Sequence, residues 1–234
     1  MKFGKKQILP VLLVVLLFTI GTTTGTTMAK YVTEREISSQ VTFTAKLAEK
    51  MVLEEYKVIR TNKGDYVYET KPDSDQNIIV NANDYVLMPG VDIVKKPYIQ
   101  ISKKTPIKAY LFLEVVGHQP GAETNGVQYT LEDEWKPAMT GEGAAREQMK
   151  GRHEGLVYVY SSGGNPVELD ENLTKTDGFK NIDIISGGKV YVSQHLNKSA
   201  EKFEIKFYAV MAEVVDGKSL ADIYNDAVTI PGTP

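Results

Sequence analysis

The chain has 234 residues, of which 27 are basic and 30 acidic, for a formal net charge of −3, and 42% of it is hydrophobic. Near-balanced charge without a basic cluster lacks the electrostatic footprint of a phosphate-tracking surface, which argues against nucleic acid as a partner. Cysteine is absent, so neither disulfides nor a lipidated N-terminal Cys can hold or anchor the protein, and its stability has to come from a packed core.

Lys2, Lys5 and Lys6 precede Ile8 to Ile20, a run of 13 residues that is apolar apart from Thr19, and the small-residue stretch GTTTGTTMA follows. That order of basic, apolar and small segments is an export signal. The apolar run is shorter than the roughly 20 residues a spanning helix needs, which favours cleavage. Thr27 and Ala29 are the small residues a signal peptidase reads before its bond, placing the cut just after Ala29 or Lys30. Because Gln7 to Ala29 carries no charge, an uncleaved anchor ending near Lys30 is the alternative, and membrane contact is then limited to this segment. The remainder, 30–234, is long enough for one domain with a full core.

Tyr31 to Gln40 is charged and Ser/Thr-rich, a poor core segment expected to be mobile in the monomer. From Val41 the reading is ambiguous: Val41, Phe43 and Ala45 alternate with threonines as a strand does, whereas Ala48-Glu49-Lys50 invites helix. Tyr66-Val67-Tyr68 and Asn77 to Val80 are short β-rich runs around an exposed KPDSDQ loop. Asp84 to Met88 leads into a Pro89-Gly90 turn and a strand over Ile93 to Ile101. Pro97 cannot donate a ladder bond, so that strand is expected at a sheet edge or bulged.

Ile107 to Val116 alternates on one face, and its other face still holds Tyr110 and Phe112, which predicts a central strand covered on both sides. The segment 117–152, rich in Gly, Pro, Glu and Gln, is read as an irregular insertion with a short helix over Gly143 to Met149, packed down by Trp135. Leu156 to Tyr160, Phe179 to Ile185 and Val190 to His195 are further strands, with turns at Ser161 to Pro166 and Gly187-Gly188. The clearest strand is the last, with Phe203, Ile205, Phe207, Ala209 and Met211 on one side. A closing helix is capped by Ser219 with Asp222 three residues on, and Leu220, Ile223, Tyr224, Ala227 and Val228 form its apolar stripe. Eight to ten short strands with this punctuation predict an all-β fold, an antiparallel β-sandwich of jelly-roll or immunoglobulin-like type with a short C-terminal helix.

His118, His153 and His195 lie far apart. His153-Glu154 opens like a zinc-protease signature, but Val157 stands where the second ligand belongs, so three surface or loop histidines are expected. No serine sits in a nucleophile elbow, and no Gly-rich piece carries the Lys-Ser/Thr of a phosphate loop. Asp73/Asp75 and Asp170/Glu171 fall short of the ligand density of a strong calcium site. Tyr66/Tyr68 and Tyr158/Tyr160 place two rings on one strand face, to stack on sugars, to contact a second subunit, or to line a covered face of the sandwich. No catalytic residue, metal ligand or cofactor is assigned, and the expectation is that the protein is not an enzyme.

Three stretches carry a resemblance. MAKYVTEREISSQVTFTAKL, with Ala29, Tyr31, Thr33-Glu34 and Phe43-Thr44-Ala45, resembles the start of mature proteins of the TasA/camelysin family of secreted Gram-positive proteins. LMPGVDIVKKPYIQI resembles the family's Pro-Gly turn and strand, and FYAVMAEVVDGKSLADIYNDAV its closing strand and helix. The chain departs from the pattern at Val91, where an acidic residue usually follows Pro-Gly, and at Ser102-Lys103-Lys104, where the family often has Asn-x-Gly. The resemblance implies export through a dedicated signal peptidase and a structural subunit of an extracellular or biofilm matrix, homo-oligomeric or fibrous. The stretch around Val41, Phe43 and Ala45 would then be a donor strand for a neighbouring subunit, since an open sheet edge accepts a strand. The alternatives are a monomeric cell-surface module binding matrix polysaccharide or protein and, from the family's described proteases, a secreted metalloprotease.

Overall fold

The computed structural model describes residues 34–43, 51–80, 82–102, 108–141, 146–162, 165–166, 179–196 and 204–229. In chain order the strands are β1 (Glu34–Phe43), β2 (Met51–Tyr56), β3 (Val58–Arg60), β4 (Tyr66–Tyr68), β5 (Ile79–Val80), β6 (Ala82–Val86), β7 (Ile93–Val94), β8 (Pro97–Ser102) and β9 (Ala109–Gly117). They continue with β10 (Val127–Gln128), β11 (Trp135–Pro137), β12 (Met139–Thr140), β13 (Glu147–Gln148), β14 (Leu156–Ser162), β15 (Asn165–Pro166), β16 (Phe179–Asp183), β17 (Lys189–Val192) and β18 (Ile205–Glu213). One helix, α1 (Leu220–Thr229), closes the described chain. The fold is all-β, in several sheets with one short C-terminal helix.

The large sheet runs β11-β14-β9-β18-β1-β6, with β15 folded back on β14, and a four-stranded sheet runs β16-β8-β2-β5. Period-2 alternation explains their pairing. Leu111, Leu113 and Val115 of β9 and Ile205, Phe207, Ala209 and Met211 of β18 join Met51, Leu53, Ile99, Ile101 and Ile182 of the smaller sheet in one core. The opposite faces of β9, β14 and β18 are covered too. Phe112, Val157, Val159, Val210 and Ala212 pack against Ile223, Tyr224 and Ala227 of α1, together with Ala138 and Met149 from the 117–152 segment. β9 is therefore central and buried on both faces, as its sequence predicts.

The helix forms where its cap does. The Asp222 N–H donates to Ser219 Oγ at 3.2 Å and the Ser219 N–H donates to Asp222 Oδ2 at 3.4 Å, a reciprocal box that satisfies two backbone donors, and the Ser219 hydroxyl donates to the same Oδ2 at 2.7 Å. Pro89-Gly90 turns between the bridged residues Met88 and Val91, with Gly90 at φ 73°, a region glycine enters at no steric cost. Trp135 packs edge-to-face on Tyr160, and its indole N–H donates to the Asp183 carbonyl at 2.9 Å.

Several expectations are corrected. Among the described residues eighteen strand segments stand where eight to ten strands are expected, many only two or three residues long. The segment expected to be mobile is a strand over 34–40, because β18 and β6 offer it ladder partners that its own polar sequence does not advertise. β1 pairs with β18 in parallel, so the sandwich is not purely antiparallel. The 117–152 segment is β-structured: β11 extends the large sheet through β14, and Glu147 and Gln148, expected in a helix, pair as β13 with β12. The strand expected over 93–101 breaks at Lys95-Lys96, so that β7 pairs with β17 while β8 lies inside the four-stranded sheet. Pro97 is tolerated there because it is the first residue of β8, where a missing donor costs little.

Phe207 is fully buried between the two sheets, so Phe207→Ala should cost about 3–5 kcal/mol, whereas Ile59→Ala at a position 41% exposed should cost far less, about 1 kcal/mol or below. Urea unfolding followed by tryptophan fluorescence checks both values.

Candidate functional site

β1 has no hairpin partner of its own. Its first half, Glu34 to Ser38, pairs antiparallel with Val86 to Ala82 of β6, and its second half, Ser39 to Phe43, pairs in parallel with Phe207 to Met211 of β18. It thus fills the space between two strands otherwise unconnected in the large sheet. The register sets Val41 opposite Ala209 and Phe43 opposite Met211, both core residues with no exposed surface. These two positions of the expected donor strand are therefore paired within the chain's own sheet. Ala45, and the expected cleavage positions Ala29 and Lys30, lie outside the described residues.

Two buried carboxylates stand out beside this slot. Glu114, on the helix-facing side of β9, is 1% exposed and gathers donors from a turn over 150–155. The His153 and Gly155 N–H groups donate to its Oε1 at 2.7 and 3.0 Å, and the Tyr224 hydroxyl donates to Oε2 at 3.3 Å. His153 Nδ1 lies 3.0 Å from Oε2, and since a carboxylate only accepts, that nitrogen carries the proton. The imidazole stacks on Tyr208 with ring centres 3.7 Å apart. Gly151 and Gly155 permit this approach: a Cβ on Gly151 would sit 2.1 Å from Glu114 Cδ, and one on Gly155 2.5 Å from the Val115 carbonyl. Burial raises the Tyr224 hydroxyl above its ordinary range, and the Glu114 charge raises it further. The cluster clamps the turn and the helix to the sheet.

The second carboxylate, Glu55, shares the inward face of β2 with Met51 and Leu53 and is fully buried. Its Oε2 accepts from Lys95 Nζ at 2.6 Å, both side chains being wholly inaccessible. Its Oε1 accepts from Asn83 Nδ2 at 2.7 Å. Asn83 donates also to the Tyr56 carbonyl at 2.9 Å and accepts the Val58 N–H at 2.8 Å. The Lys95 ammonium lies 5.6 Å from the centre of the Tyr85 ring. Desolvation lowers the Lys95 pKa, opposed by the Glu55 charge.

The other sequence candidates do not converge. His118 is half-buried beside Tyr129, His195 is exposed and His153 sits half-buried on a turn, so all three are loop residues, as expected, and they do not converge. Tyr66 and Tyr158 are buried, Tyr66 edge-on to Tyr85, while Tyr68 and Tyr160 are half-buried. Asp73 and Asp75 are exposed on the loop between Thr70 and Asn77, and Asp170/Glu171 lie outside the described residues. Among the described residues no group of three or more His, Asp or Glu is placed to hold a metal ion, and no helix is long and apolar enough to cross a membrane.

Sequence reasoning missed Glu55, Lys95 and Asn83. The available signal was parity: Glu55 falls on the apolar side of an alternating Met-x-Leu-x-Glu strand. Compared with protein-family models, with curated proteins and with solved structures, the chain finds no match.

Glu114→Gln leaves a carboxamide N–H facing donors and should cost about 2–3 kcal/mol. Gly151→Ala should destabilise through the overlap at Glu114. Denaturant midpoints, with amide exchange at His153 and Gly155 read by NMR, check both: exchange there should rise more than in β9.

Proposed function

We propose that this chain is an exported structural subunit of an extracellular or biofilm matrix, and that it self-assembles into fibres by exchanging β1 between neighbouring copies. The observation that carries the reading is the seat of β1, an N-terminal strand that pairs with both β18 and β6, in parallel on its β18 side. Parallel pairing is slightly weaker per residue than antiparallel. When an identical strand from a neighbour enters the slot it remakes the same bonds, each worth a net of about 1 kcal/mol, so exchange costs mainly the entropy of association. The export-like N-terminus and the likeness of three stretches to the TasA/camelysin family support the same reading.

A second reading is a monomeric cell-surface module binding matrix polysaccharide or protein. The specific observation in its favour is that β1 already closes the slot of its own chain, which gives a monomer with no vacant edge at β18.

Electron microscopy and size-exclusion chromatography of protein starting at Lys30, and of protein starting at Ala45 without β1, test the choice. Fibres are expected from the longer form alone, and a synthetic peptide of the β1 sequence, EREISSQVTF, should cap the shorter form and suppress growth of the longer. Fibres from the shorter form overturn the proposal, and a longer form that stays monomeric at all concentrations favours the surface module.

A further inference from the structure

The polar cluster around Glu55 has the parts of a bond-forming site, and it stands independently of whether the chain forms fibres. We propose that the side chains of Lys95 and Asn83 join in an intramolecular isopeptide bond, with Glu55 as the proton carrier. One carboxylate bridges the two reacting groups: Oε2 holds Lys95 Nζ at 2.6 Å and Oε1 holds Asn83 Nδ2 at 2.7 Å. The amine and the carboxamide are thereby held side by side, which replaces a bimolecular encounter by a fixed one.

The carboxamide has only one sensible orientation. Its nitrogen donates to Glu55 and to the Tyr56 carbonyl, and its oxygen accepts the Val58 N–H at 2.8 Å; turned over, donor would face donor. The Val58 N–H therefore polarises the carbonyl that is attacked and stabilises the negative charge that develops on Oδ1. Lys95 and Glu55 have no exposed surface and Asn83 is 6% exposed, so water is kept from the site. Burial favours the uncharged amine, the nucleophilic form.

The step balances without a cofactor. Lys95 passes a proton to Glu55, and the freed Nζ lone pair attacks Asn83 Cγ to give a tetrahedral intermediate. Nζ loses a second proton as Nδ2 gains one through Glu55, the Cγ–Nδ2 bond breaks, and ammonia leaves. The products are a secondary amide, ammonia and a protonated Glu55. A buried ion pair, whose desolvation offsets much of its attraction, is replaced by a neutral amide. The bond ties β6, a partner strand of β1, to the corner between β7 and β8.

Intact mass and tryptic mapping of the purified full-length chain test this. The expected result is a protein lighter by one ammonia, with the deficit in a single peptide spanning 64–103, because an acylated Lys95 is not cut and both Lys71 and Lys96 precede proline. Lys95→Arg and Glu55→Gln should restore the full mass. A wild-type chain with full mass that is cut after Lys95 overturns the proposal, as does a deficit mapping elsewhere, for instance to the Asn125-Gly126 step, where succinimide formation also releases ammonia. The wild-type result decides even if a variant fails to fold.

Discussion

The large sheet depends on how the second edge of β18 is closed. One edge of β18 is paired with β9 over nine residues, and this ladder carries the core between the sheets on one face and the helix on the other. The other edge would expose backbone donors and acceptors beside fully buried Phe207, Ala209 and Met211, a template for uncontrolled pairing. β1 closes it. A strand that comes from the chain's start and has no hairpin neighbour does this without restricting which copy supplies it.

Around that slot the molecule is held by buried carboxylates as well as by apolar packing. Glu114 fixes the 150–155 turn and α1 to one face of the large sheet. Glu55 gathers Asn83 of β6 and Lys95 on the side of the smaller sheet. Buried charges of this kind contribute little stability on their own account, because desolvation offsets attraction, but losing one partner is costly. Both therefore act to specify geometry: Glu55 determines where β6, one of the two strands that receive β1, is placed.

What was legible in the sequence was whatever alternation or capping chemistry writes locally. β9, β18 and α1 follow from periodicity and from the Ser219-Asp222 box, and the Pro89-Gly90 and Gly187-Gly188 turns from residue type. β1 was hidden at its start, since Glu34 to Gln40 has no apolar alternation and is a strand only because β6 and β18 supply its bonds. Pro97 misled because the break at Lys95-Lys96, which makes it a first residue, depends on the separate partners of β7 and β8. The site around Glu55 was illegible for a similar reason: its residues come from three places, and only the fold joins them. His153 looked like part of a failed zinc motif, whereas its partner Glu114 lies on a strand 39 positions earlier.

The measurement that tests strand exchange most directly is cross-linking by register. The chain has no cysteine, and Val41 faces Ala209 across the β1–β18 ladder. In protein carrying Val41→Cys and Ala209→Cys, assembled and then oxidised, the account predicts a ladder of covalent multimers on a denaturing gel, lost on reduction. Disulfides formed only within single chains, in preparations that contain fibres, would contradict it.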